Sequence, residues 1–161
     1  MLHLYIDADA CPVKPEVYRV ATRYHLEVTL VANSRMRIPE TPGIVLQVVG
    51  GGFDEADNWI VEHAQPGDIV ITADILLASR CLKNGAAVLG TSGKPFREDN
   101  IGQTVATRDL WAELRVTGEI TGGPPPLTPR DRSRFLQALD EIIQGLRRRN
   151  PSSSMPSQNA G

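Results

Sequence analysis

Carboxylates recur in this chain at the points where apolar segments end. Leu2-His3-Leu4-Tyr5-Ile6 runs into Asp7-Ala8-Asp9, and Ile69-Val70-Ile71-Thr72 runs into Ala73-Asp74. In an open α/β sheet, ligands bind in the crevice outside the carboxyl ends of parallel strands, so acids placed repeatedly at such ends point to a cation or phosphate site. Other apolar runs end in polar chemistry too: Asn33-Ser34-Arg35 after residues 26–31, Gly50-Gly51-Gly52 with Asp54 and Asp57 after 44–49, and Thr91-Ser92-Gly93-Lys94 after 86–89. Carboxylates crowded within a few ångströms raise each other's pKa unless a cation neutralises them. Mg²⁺ or Mn²⁺ fits such a set of hard oxygen ligands, whereas His3, His25 and His63 show no zinc-like spacing. A metal held this way lowers the pKa of a bound water and braces developing charge, which is the chemistry of phosphodiester hydrolysis.

The elements that must position these acids alternate between strand and helix, which predicts an α/β fold with about five parallel strands joined by right-handed crossovers. Pro12 and Pro15 suit the opening of a helix reaching Tyr24, with Pro12 at its first position and Val13, Val17, Val20, Ala21 and Tyr24 facing inward. The unbroken apolar run 44–49 reads as a strand covered on both faces. A helix follows near Asp54, with Ala56, Trp59, Ile60 and Ala64 on helical spacing, and another from Ile75 to Leu82, stopped by Asn84-Gly85. Residues 103–117 read as helical, and 122–126 as a stiff Gly/Pro connector. Thr128-Pro129-Arg130-Asp131 then supplies an N-cap, a proline at the first position and an acid at the third, opening a helix whose buried stripe is Phe135, Leu139, Ile142 and Leu146. One domain over 1–149 is expected, followed by a disordered Pro/Ser-rich tail over 150–161.

Composition narrows the function classes. Seventeen basic against nineteen acidic residues give a net charge of -2, which excludes an overall basic nucleic-acid coat and confines any such contact to a local patch. Cys11 and Cys81 lack metal-ligand spacing and fit a reducing compartment. No apolar run reaches membrane-spanning length, and the first residues do not read as a signal peptide, so a cytoplasmic protein that makes no membrane contact is expected.

Each strand-end acid also has a plain structural reading, because Asp is a preferred helix N-cap. Asp74 and Asp54 are the most exposed to that objection, while Asp7 and Asp9 precede the first helix by too many residues. Arg35, Arg37, Lys94, Arg97 and Arg108 are candidates to hold substrate phosphates at the acidic edge. Arg147-Arg148-Arg149 is most simply a favourable pairing with a helix C-terminus.

Four stretches carry a resemblance: Asp7-Ala8-Asp9-Ala10-Cys11-Pro12-Val13-Lys14, Gly52-Phe53-Asp54-Glu55-Ala56-Asp57, Thr72-Ala73-Asp74-Ile75-Leu76-Leu77-Ala78 and Asn100-Ile101-Gly102. Together they resemble the YaiI/YqxD family of uncharacterised bacterial proteins over about residues 2–145, a family that looks like a branch of the PIN-domain-like nucleases. The resemblance implies a three-layer fold with helices on both faces of the sheet and a metal-binding acidic cluster. By position Asp7 matches the first acid of that cluster, Asp54 or Asp57 the acid on the mid-domain helix and Asp74 the Thr-x-Asp acid, with Asp99 nearest to the fourth. The expected function is a Mg²⁺- or Mn²⁺-dependent phosphodiesterase, a ribonuclease in the first instance, with Asp7, Asp57, Asp74 and Asp99 on the metal and Asp9 or Asp54 orienting water. Two alternatives stand beside it. One is a non-catalytic module that binds RNA or a protein. The other is a haloacid-dehalogenase-type phosphatase with Asp7 as nucleophile, although Asp68 and Asp74 bracket one strand instead of sharing its exit loop.

Overall fold

A computed structural model describes residues 2–51, 54–97 and 127–149. The expectations for 98–126, including Asp99, Arg108, the 103–117 helix and the connector, and those for the 150–161 tail, lie outside the described residues.

Strand β1 (His3–Asp7) leads through a short 3-10 turn, Ala8–Ala10, into helix α1 (Lys14–Tyr24). Strands β2 (Glu27–Ala32) and β3 (Ile44–Val48) follow, then α2 (Glu55–His63), β4 (Ile69–Ile71), α3 (Ile75–Lys83), β5 (Ala87–Leu89), β6 (Pro95–Phe96) and α4 (Pro129–Arg149). The sheet has six strands in the order β3-β2-β1-β4-β5-β6, with β1 to β5 parallel and β6 antiparallel to β5. From β1 the chain steps outward to β2 and β3, then returns to the opposite side of β1 as β4. The strand order therefore reverses between β1 and β4, where such sheets open a crevice at their carboxyl edge.

Side chains alternate across the strands and sort the core into two layers. Leu4, Ile6, Val28, Leu30, Ile69 and Ile71 pack with Val17, Val20 and Ala21 of α1 and Phe135, Leu139 and Ile143 of α4. Tyr5, Val31, Val70 and Val88 pack with Ala56 and Ile60 of α2 and Leu77, Ala78 and Cys81 of α3. Helices thus cover both faces, and this three-layer α/β arrangement is consistent with the PIN-like fold that the resemblance implies.

Several local expectations are corrected. The antiparallel β6 adds a sixth strand to the five parallel ones, and the 90–94 segment is the hairpin turn that joins it to β5. β3 is an edge strand with Val45 and Val48 exposed, because nothing among the described residues pairs with its outer side. α1 begins at Lys14 with Pro15 in its first turn, so Pro12 lies outside the helix. In α4 the fully buried position is Ile143, while Ile142 and Leu146 are half-buried at its flank. The capping box is as expected: Thr128 N donates to Asp131 Oδ2 at 3.0 Å, and Asp131 N donates to Thr128 Oγ1 at 3.1 Å.

α4 is seated against the β5–β6 turn at Gly93, whose φ is +90° and where a Cβ would stand 3.1 Å from Arg134 C and O and from Phe135 N. Those are backbone atoms and cannot swing aside. Gly93→Ala is expected to cost about 1–3 kcal/mol and to lower Tm by several degrees in a thermal melt followed by circular dichroism. Gly51→Ala, with nothing within 4 Å of the added carbon, should melt close to wild type; equal losses in both would refute a close approach specific to the turn.

Candidate functional site

Alternation along β1 and β4 decides which way the strand-end groups face. Leu4 and Ile6 belong to the α1/α4 layer, so Tyr5 and Asp7 turn toward α2 and α3; Val70 and Thr72 do the same on the neighbouring strand. Thr72 Oγ1 donates to Asp7 Oδ2 at 3.0 Å across the switch point. The same hydroxyl oxygen accepts Asp74 N at 2.9 Å, which fixes the loop entering α3. Thr72 is buried, and Asp7 is half-buried.

The other acids arrive on separate elements. Asp74 Oδ1 accepts the backbone N–H groups of Leu76 at 2.9 Å and Leu77 at 3.3 Å, so this acid caps α3, as its plain structural reading anticipated. Asp9 is exposed, and its Oδ2 accepts Asn33 N at 2.9 Å, tying the β1 exit to the β2 exit. Asp54 takes the N-cap position of α2 in the left-handed region, φ 69°, but makes no side-chain cap bond, so the capping reading does not hold for it. Asp57 lies in the first turn of α2, half-exposed.

Electrostatics shows that these groups share one neighbourhood. Burial pushes Asp7 above the usual carboxylate range; the Thr72 bond opposes this, Asp74 and Asp9 add to it, and Lys14 pulls it down. Asp57 is pushed up to about 6, first by burial and then by Asp74, Asp7 and Asp54, with Arg80 opposing. Asp7, Asp9, Asp54, Asp57 and Asp74 are thereby brought to one edge. Among the described residues, however, no group of three or more His, Cys, Asp or Glu side chains is placed to hold a metal ion. The donors have the right chemistry for a hard cation, but their present spacing does not close into a three-ligand cage. That spacing suits only an ion held directly by one or two carboxylates, with water completing its shell, as Mg²⁺ commonly is.

Arg35 and Arg37 are exposed on the loop after β2, Lys94 is exposed on the β5–β6 turn, and Arg97 is exposed just beyond β6, beside α4. The cations that act on Asp7 and Asp57 are instead Lys14 and Arg80, which the sequence reading did not single out. Lys14 Nζ also donates to Cys11 O at 2.8 Å, holding the loop after Asp9. Thr72 was visible only as part of a Thr-x-Asp pattern, and that pattern is the one sequence signal for its role. Nothing in the order of residues marks Arg80, which comes near Asp57 through the packing of α3 on α2.

Fold and site together define a three-layer α/β protein with an acidic crevice at the topological switch of its sheet. The family model described as "Uncharacterized BCR, YaiI/YqxD family" matches residues 5–145. The chain belongs to that family. It is 58% identical over 149 residues to a UPF0178 protein of Rhodopseudomonas palustris strain TIE-1, an alignment covering 92% of this chain and 94% of the relative. It is 52% identical over 157 residues to a UPF0178 protein of Bradyrhizobium diazoefficiens, covering 98% and 94%, and 55% identical over 147 residues to one of Nitrobacter winogradskyi, covering 91% and 94%. No solved structure matches the chain. Among the described residues no helix is long and apolar enough to cross a membrane.

The raised acids give the protein a distinctive pH dependence. An aspartate that titrates near 6 when folded and near 3.8 when unfolded binds more protons in the folded state, so its contribution to stability is lost as pH rises between those values. His3 acts in the opposite sense: burial lowers its pKa from 6.5, so stability falls as pH drops below that value. The difference between wild type and Asp57→Asn isolates the aspartate. The two should melt together near pH 4, and the variant should be more stable at pH 7.5 by about 1 kcal/mol after allowance for solvent screening, a few degrees in Tm. A gap of the same size at both pH values would show that Asp57 is not held up by its neighbours.

Proposed function

We propose that this acidic crevice binds Mg²⁺ or Mn²⁺ and hydrolyses phosphodiester bonds, with single-stranded RNA as the substrate. The observation that carries the reading is the convergence of acids from three separate segments on a switch-point edge, where Asp7 is met by a neutral hydroxyl, and Asp7 and Asp57 are raised by burial and by the charge of neighbouring acids, Asp74 acting on both. Asp7, Asp57 and Asp74 would hold the ion, at least one of them through water, since no three described acids are placed to bind it together. The chemistry the ion supplies there is a lowered pKa for water and relief of charge at the reacting phosphate.

The chain's own groups account for the rest. Thr72 holds one oxygen of Asp7, so the carboxylate is oriented before anything binds. Asp57, raised to about 6 by its neighbours, would give up its proton to an incoming cation, so occupation of the crevice would exchange a proton for a metal ion. Asp9 keeps the β1 and β2 exits together through Asn33, a positioning role. The phosphatase alternative is poorly served: Asp68 is buried before β4, accepting His3 N at 3.1 Å and Gln65 N at 2.9 Å, at the end of the sheet opposite Asp7. A second reading, an RNA- or protein-binding module without turnover, is favoured by the commitment of Asp74 to its helix cap and of Asp9 to Asn33.

Calorimetric titration of Mn²⁺ into wild type and Asp7→Asn, followed by incubation of both with single-stranded RNA, tests the proposal. Saturable binding and cleavage in wild type are expected, with cleavage reduced on the order of 10²-fold or more in Asp7→Asn. Metal-free Asp7→Asn should melt at or above wild type, because a repelling charge is gone. RNA binding without cleavage at any divalent ion would replace the nuclease with the binding module.

A further inference from the structure

A second feature lies on the other side of the sheet, between the β5–β6 hairpin and α4. It is a groove of ≈ 740 Å³ whose lining includes Arg97, Arg134 and Arg148, a single carboxylate, Glu141, and the apolar surfaces of Ile142 and Leu146. In a chain of net charge -2, three guanidinium groups against one carboxylate make a local cationic strip. Arg134 stands beside Gly93 at the carboxyl end of β5, so the groove opens at the same sheet edge as the acids. With neighbouring strands spaced about 4.8 Å apart, the ends of β1 and β5 are separated by roughly 10 Å. From 134 to 148 the helix then carries the strip about 21 Å away from that edge.

We propose that this groove is the track for the single-stranded RNA whose scissile phosphate reaches the acidic crevice; the inference rests on the phosphodiesterase reading and names how its substrate is held. Guanidinium groups pair with phosphates, and Ala138, Ile142 and Leu146 add apolar surface between them. The Arg134–Asp131 pair, 3.8 Å apart and three residues along the helix, is a surface contact that a phosphate can replace at little cost. The strip begins at the sheet edge that carries the acids, which favours a phosphodiester chain running on into the crevice over an acidic peptide that would use the charges alone.

The test uses Asp7→Asn, which leaves RNA intact, with and without the pair Arg134→Ala and Arg148→Ala. Binding of a fluorescent oligouridylate on the order of ten nucleotides long is followed by anisotropy across a salt series. Removing both arginines is expected to weaken binding on the order of tenfold and to flatten the slope of log K against log salt by roughly 1.4, two contacts at about 0.7 each. Unchanged affinity and slope overturn the groove, as does oligoglutamate displacing the RNA at equal concentration. Cleavage by wild type with no groove dependence would sink this inference alone; groove-dependent binding with no cleavage would sink the nuclease reading alone.

Discussion

The pairing of β1 with β4 is the constraint on which the site depends. Register sets Leu4 against Ile69 and Ile6 against Ile71, and the next residues along, Asp7 and Thr72, are left facing each other beyond the last apolar layer. A carboxylate at that position has lost part of its water and gains a neutral hydroxyl, where a cation would have stabilised it more. The fold tolerates the arrangement because the strands beneath are fully buried on both sides and over-determine where the two side chains stand. A residue kept in an unfavourable electrostatic setting by a well-packed scaffold is the usual structural mark of a functional position.

The same packing spreads the charge over several elements instead of concentrating it. Asp74 loses part of its field to the N-terminus of α3, and Asp9 loses part to a backbone N–H of the β2 exit. Asp57 has no such outlet among the described hydrogen bonds, and it is pushed up to about 6. Helix capping and chemistry are therefore not competing explanations of these aspartates. Capping quietens some of them, and the quietened ones still raise the pKa of the others.

Much of this was legible in the order of residues. Strand alternation, the Asn84-Gly85 stop and the Thr128 to Asp131 capping box are local features, and the structure places the elements close to where they predict. The misreadings share one cause, which is that a local pattern does not report its neighbours. The run 44–49 is apolar enough for an interior strand, but the topology puts β3 at an edge. β6 is two residues long and begins with proline, so its own sequence carries no strand signal; only its pairing with β5 makes it one. Ile142 and Ile143 are adjacent on the helix, and which of them is fully buried depends on how α4 rolls against β5 and α1.

For the site, the acids themselves were legible because strand ends are, whereas the groups that tune them were not. Thr72 is a strand residue like any other until β4 is set beside β1, and Lys14 and Arg80 act through tertiary placement. Arg35 and Lys94 looked suitable because they follow strands, yet a long surface side chain at the right edge has little reason to stay near an acid. What distinguishes Lys14 is that a backbone carbonyl, Cys11 O, holds its ammonium group within the loop that follows Asp9. A cation fixed in this way offsets part of the repulsion at Asp7 permanently. The site can consequently remain folded without an ion, and its remaining unneutralised charge is what a metal or a proton at Asp57 would answer.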